Sequence, residues 1–231
     1  MSTVSTRRKI TTKTIRARKG KTKITSLTAY DYPTAKLVDA ARVDVILVGD
    51  SLGMVVLGYP DTTHVTVDDM VHHTKAVSRA RPNGLLVADM PFLSFGVTRS
   101  ETILNAGRLI REGGAEAVKL EGGVRVKDDI RALVECQIPV MGHVGLTPQS
   151  VHHFGGFRVQ GKKDDDADQV VRDAVAVQEG GGFSVVLEGI PAPLGARITR
   201  EIDIPTIGIG AGVECDGQVL VTHDMLNLFQ D

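Results

Sequence analysis

The sequence predicts an α/β fold of the (β/α)8 TIM-barrel class. Three observations carry that prediction. From residue 24 onward, eight short apolar runs alternate with amphipathic stretches, as in parallel strands joined by crossover helices. The runs are near-continuous in Val, Ile, Leu and Ala, the composition of strands buried on both faces. The length of 231 residues lies close to the roughly 250 usual for this barrel. An open doubly wound sheet would need a Gly-rich turn after its first strand. The segment there, AYDYP (29–33), contains no glycine.

The first strand falls at 24–30 (ITSLTAY), and apolar residues at helical spacing follow over 32–41. The second, 43–49 (VDVILVG), delivers Asp50. Thr66 with Asp68 and Asp69 then marks a helix start that runs to about residue 80. Strand 85–89 ends on Asp89, and Ser100 with Glu101 opens a helix stopping near Gly113 and Gly114. Strand 117–121 (AVKLE) ends on Glu121, and 127–135 fits a helix. Strand 138–145 carries His143. The acid-rich stretch 164–168 suits a helix N-terminus, and that helix ends at Gly180 to Gly182. Strand 184–188 ends on Glu188, and 193–201 is helical. Strands 204–210 and 218–224 complete the eight. Only MLNLFQD follows the last of them, so a final helix over its outer face is expected to be absent. One domain is expected over 1–231, with 1–23 as a basic lead-in.

Residues 1–23 hold nine Lys and Arg and no acid, which leaves the remainder with 18 basic against 28 acidic residues, a net −10. A nucleic-acid arm or a transit peptide has that composition. No aromatic residue interleaves the charges for stacking. The segment therefore reads as a solvated lead-in, with neither nucleic acid nor membrane as a partner. No apolar run spans a bilayer. Cys136 and Cys215 supply neither a disulfide framework nor a zinc site, which fits a cytoplasmic setting.

Four acids, Asp50, Asp89, Glu121 and Glu188, each end an apolar strand. In a parallel barrel that end holds the active site, and a carboxylate there is costly to bury without a partner. Lys119 and Glu121 lie two apart and share a strand face. Pointing inward, both are expensive unless used, and an internal ion pair is the competing reading. Ser51 follows Asp50 inside the Gly-bounded turn GDSLG, where its hydroxyl suits a carboxylate ligand. His143 reads equally as a core histidine or a site residue. Several carboxylates without a Cys cluster or an HExxH pattern favour Mg²⁺. That ion takes one or two carboxylates and keeps waters, so the remaining acids serve through water or as a base. The pairs His72-His73 and His152-His153 read as surface or oligomer contacts. Loop 208–212 (GIGAG) reads as a phosphate loop or as close backbone packing.

Taken together, GDSLGM (49–54), ADMPF (88–92), KLEGG (119–123), GHVGLTPQS (142–150), VVLEGIP (185–191) and IPTIGIGAG (204–212) resemble the ketopantoate hydroxymethyltransferase family. The likeness runs almost without a gap from residue 24 to 226. It implies a (β/α)8 barrel with an N-terminal cap, assembled as a homo-oligomeric decamer. The implied reaction is Mg²⁺-dependent transfer of a hydroxymethyl group from 5,10-methylenetetrahydrofolate to 3-methyl-2-oxobutanoate. Its product, 2-dehydropantoate, feeds pantothenate synthesis. By the same resemblance Asp50, Asp89 and Glu121 bind magnesium, and Asp50, Ser51, Asp89, Lys119 and His143 contact or support the keto acid. Glu188 is the proton acceptor in that scheme; strand spacing alone would equally allow Glu121. Family members continue past HDML (223–226) with a last helix and tail. Two rivals are a Mg²⁺-dependent lyase or mutase of the isocitrate lyase and phosphoenolpyruvate mutase group, and a non-catalytic barrel. The first usually carries a KKCGH-type loop, which this sequence lacks, and the second would be marked by loss of a site acid.

Overall fold

The computed structural model describes residues 8–229. Eight strands pair in parallel in chain order, and the eighth returns to the first to close a barrel. They are β1 (Ile24–Thr28), β2 (Val45–Val48), β3 (Leu85–Asp89) and β4 (Ala117–Glu121), then β5 (Val140–Gly145), β6 (Ser184–Glu188), β7 (Thr206–Ile209) and β8 (Gly217–Leu220). The helices are α1 (Thr12–Arg16), α2 (Tyr32–Ala40), α3 (Leu52–Val55), α4 (Val67–Ser78) and α5 (Arg99–Arg111), then α6 (Lys127–Glu135), α7 (Val151–Phe154), α8 (Asp164–Glu179), α9 (Ala192–Glu201) and α10 (Thr222–Met225).

Alternation along each strand sorts its side chains into two cores. Outward residues such as Ile46, Leu86, Leu120 and Leu187 pack with Val38, Leu109, Leu133 and Val177 of the helices. Inward residues Val45, Leu85, Met141, Val186, Ile207 and Val219 fill the barrel itself. The helix starts follow the predicted chemistry. Thr66 caps α4 in a reciprocal box with Asp69. At α5 the cap is Thr98, not Ser100, because its side chain accepts from the Glu101 amide.

Two expectations change. The eighth strand stops at Leu220 instead of running to 224. Thr222 donates through its amide to Thr28 Oγ1 at 3.0 Å and through its hydroxyl to Thr28 O at 2.6 Å. These bonds fasten the chain to β1 and turn it into the short α10. Gln218 and Leu220 face outward and are exposed.

The basic lead-in, where described, is exposed at Arg8, Lys13, Arg16 and Lys21, as expected, but it is anchored to the barrel. Ile10 and Ile15 are buried in the inner core and close the N-terminal end of the barrel. Its cations bind groups on that rim. Lys9 Nζ donates to Pro82 O at 2.9 Å and Gly84 O at 2.7 Å. Lys23 Nζ donates to Cys215 O at 2.6 Å, and Lys19 pairs with Asp216 at 2.8 Å. Sequence reading missed this because Ile10 and Ile15 are too few to form a periodic pattern. Residues 1–7 of the lead-in, and 230–231, lie outside the described residues.

Candidate active site

Parallel strands bring their C-terminal ends to one rim, and there the sequence places its acids. Asp89, Lys119, Glu121 and His143 project into the top of the barrel, all buried, with Asp50 buried just beyond β2. Glu188 at the end of β6 is the most open of the set, its side chain 22% exposed. A cavity of about 240 Å³ joins all six and also touches Ser51. Leu47, Val186, Ile209 and Val219 line it with apolar surface.

The contacts run around the rim. Asp50 donates its amide to Asp89 Oδ2 at 3.0 Å. Gly49 gives the Ser51 hydroxyl room: a Cβ there would sit 2.8 Å from Ser51 Oγ and shift it. Asp89 Oδ1 lies 3.1 Å from Lys119 Nζ. That ammonium is also 3.1 Å from His143 Nδ1. Glu121 Oε1 is 3.5 Å from the same imidazole nitrogen. On the other ring edge, His143 Nε2 lies 3.1 Å from Glu188 Oε2.

Charge is unbalanced here. Four carboxylates surround one ammonium and one imidazole. Burial, then repulsion from Asp89 and Glu121, holds the Asp50 carboxyl well above the usual carboxylate range. Burial also raises Asp89, although Lys119 opposes it. Lys119 is raised because Asp89, Glu121 and Asp50 outweigh its burial. Burial and Lys119 work against a charged His143, yet Glu121 and Glu188 hold it up at about 9.

A hard divalent cation fits this donor set. Asp89 Oδ1 and Glu121 Oε1 are buried without a hydrogen-bond partner, and the surplus of negative charge has no internal counterion. Among the described residues no three His, Cys, Asp or Glu side chains form a complete metal cage. Mg²⁺ takes one or two carboxylates and completes its shell with waters and substrate oxygens, whereas structural zinc takes four protein ligands.

Two residues at the site carry no prediction from sequence. Tyr30, read there as the end of the first strand, lies beyond β1, and its hydroxyl is 2.9 Å from Ser51 Oγ. Burial pushes its phenol up to about 12, so it stays a neutral partner. Gln149 donates its side-chain amide to Asp50 Oδ2 at 2.8 Å and its backbone N–H to Glu121 Oε2 at 3.0 Å. A polar residue in a Pro-led turn straight after a strand end (LTPQS, 146–150) was the available signal. The histidine pairs divide. His73 Nδ1 donates to Tyr30 O at 2.7 Å and is half-buried, whereas His152 reaches Asp61 at 3.1 Å from an exposed position. Loop 208–212 packs closely against α9: a Cβ at Gly195 would meet Ala211 O at 2.3 Å.

Fold and site together define a (β/α)8-barrel enzyme whose acid–base groups gather at the C-terminal ends of its strands. The chain belongs to the ketopantoate hydroxymethyltransferase family, whose family model matches residues 9–231. It is 62% identical over 206 residues to the 3-methyl-2-oxobutanoate hydroxymethyltransferase of Geobacter sulfurreducens, covering 89% of this chain and 77% of that protein. The Syntrophus aciditrophicus protein of the same name is 57% identical over all 231 residues, with 85% of it covered. Among solved structures, phosphonopyruvate hydrolase in complex with oxalate and Mg²⁺ superposes with a TM-score of 0.71 at 12% identity, covering 95% of this chain and 83% of that one. A 2,3-dimethylmalate lyase superposes at 0.68 with 18% identity, covering 94% and 82%. The likeness to that lyase and mutase group is one of fold.

Proposed function

We propose that this chain transfers a hydroxymethyl group from 5,10-methylenetetrahydrofolate to C3 of 3-methyl-2-oxobutanoate, giving 2-dehydropantoate. The observation that carries this reading is the placement of Glu188. It is the most exposed of the site carboxylates, and it meets His143 at Nε2, on the ring edge away from Lys119 and Glu121.

Asp50, Asp89 and Glu121 would hold Mg²⁺. Bound there, the ion supplies Lewis-acid stabilisation of negative charge on the 2-oxo oxygen. Ser51 Oγ, oriented by Tyr30, and the Lys119 ammonium bind the carboxylate end of the keto acid. This leaves C3 and its methyl groups against Val186, Ile209 and Val219. Glu188 takes the C3 proton, within reach of a substrate lying in the cavity. His143 carries a proton on Nε2 whether it is an imidazolium or accepts from Lys119 at Nδ1. That proton faces Glu188 and orients it. C3 then forms its bond to the methylene carbon, water supplies the hydroxyl oxygen, and tetrahydrofolate leaves.

A homo-oligomer, the decamer of the family resemblance, and a cytoplasmic setting belong to the same proposal; the mass of the particle in solution tests the first. No helix among the described residues is long and apolar enough to cross a membrane.

Incubation with Mg²⁺ and the keto acid in D₂O, without folate, tests the chemistry. Deuterium should enter at C3, and formation of 2-dehydropantoate should require methylenetetrahydrofolate. Absence of exchange in the parent protein would overturn the scheme.

A further inference from the structure

Gln149 does more than fill a turn. Its Nε2 makes two bonds, to Asp50 Oδ2 at 2.8 Å and to Met90 O at 2.9 Å. Both amide hydrogens are thereby used, and the two acceptors fix which end of the amide is nitrogen. Its backbone N–H meets Glu121 Oε2 at 3.0 Å. One buried residue thus ties together the ends of β2, β3 and β4. Each carboxylate is held through one oxygen. The bond to Asp50 falls on Oδ2 and that to Glu121 on Oε2; Glu121 Oε1 is buried without a hydrogen-bond partner, 3.5 Å from His143 Nδ1.

The donor's charge matters too. A Lys or Arg in this place would satisfy Asp50 but repel an incoming cation. A neutral amide orients the carboxylate and favours its charged form without adding positive charge.

We propose that Gln149 is a positioning residue for cation binding, holding Asp50 and Glu121 with one oxygen each free for the ion. This rests on the assignment of those acids to the cation made above. It makes no contact with the reacting carbon.

Mn²⁺ binding to the whole protein, followed by loss of the free-ion EPR signal without either substrate, tests this apart from turnover. Gln149→Met keeps the side-chain volume and removes both donors. It should weaken Mn²⁺ binding by about 10–100-fold, with the far-UV spectrum and the unfolding midpoint of the cation-free protein retained. In turnover, the apparent KM for Mg²⁺ should rise by a similar factor while kcat at saturating Mg²⁺ changes little. A purely structural role would lower kcat or stability and leave cation affinity alone. Gln149→Asn guards against misfolding of the first variant: it keeps the amide but is one methylene too short to hold both acceptors, and it should also bind more weakly. Parent-like Mn²⁺ affinity in both variants, with binding lost in Asp50→Asn, would overturn the role of Gln149 and leave the cation assignment standing. Equal Mn²⁺ binding by the parent and Asp50→Asn would overturn both.

Discussion

Glu188 Oε2 lies 3.1 Å from His143 Nε2, close enough for an ion pair but not aligned as a hydrogen bond. Catalytic contacts of this kind commonly tighten only when substrate is in place. The pair separates two kinds of acid. Asp50, Asp89 and Glu121 sit in the buried charge cluster, whereas Glu188 stands at its edge and is the most exposed of the four.

Glu188→Gln keeps the shape and removes the proposed base. Deuterium exchange at C3 of 3-methyl-2-oxobutanoate should fall by about 10²–10⁴-fold, with Mn²⁺ affinity little changed. Exchange at the parent rate would assign the base elsewhere, with Glu121 the first alternative.

Lys119→Met leaves the Asp89 carboxylate buried without its ammonium, at 3.1 Å in the parent. Breaking a buried pair in this way costs about 3–5 kcal/mol. A bound cation can replace part of the lost charge, so urea midpoints should show a smaller deficit with saturating Mg²⁺ than without it. Equal deficits in both conditions would show that Lys119 and the cation do not share a counter-charge role.

Asp216 provides a pH dependence remote from the site. Burial opposes its ionisation, but hydrogen bonds from Lys19, Thr206 and Gly20 prevail and lower its carboxyl. A depressed folded value means the contribution is full above the unfolded value of about 3.9 and is lost as pH falls through the folded one. Asp216→Asn should therefore lose about 1–3 kcal/mol at neutral pH. The gap to the parent should narrow once the pH drops below the unfolded value. A gap independent of pH in denaturant titrations would refute this account.

Gly142 carries β5 past α8. A Cβ there would lie 2.5 Å from both methyls of Val177. Gly142→Ala should cost about 1–3 kcal/mol by overpacking and disturb the neighbouring His143. Adding Val177→Ala should recover part of that loss, which a double-mutant cycle would read directly.

Periodicity and strand-end chemistry were readable in the chain itself. The runs LLVAD, AVKLE and SVVLE end as strands on Asp89, Glu121 and Glu188, because an apolar run and a terminal acid are local features. The two-residue spacing of Lys119 and Glu121 placed both on the inner face for the same reason. Boundaries were harder where a distant partner sets them. β8 ends at Leu220 because Thr222 bonds to Thr28, 194 residues away in the chain.

By itself the sequence determined the barrel, the rim on which its acids gather and the family to which the chain belongs. Strand period and strand-end residues are written in consecutive positions. Tertiary structure alone decided that Ile10 and Ile15 plug the barrel, that Tyr30 holds Ser51, and that Gln149 joins Asp50 to Glu121. The bond from Gln149 to Asp50 spans 99 positions. These contacts exist only once barrel closure has brought separate strand ends within hydrogen-bond reach.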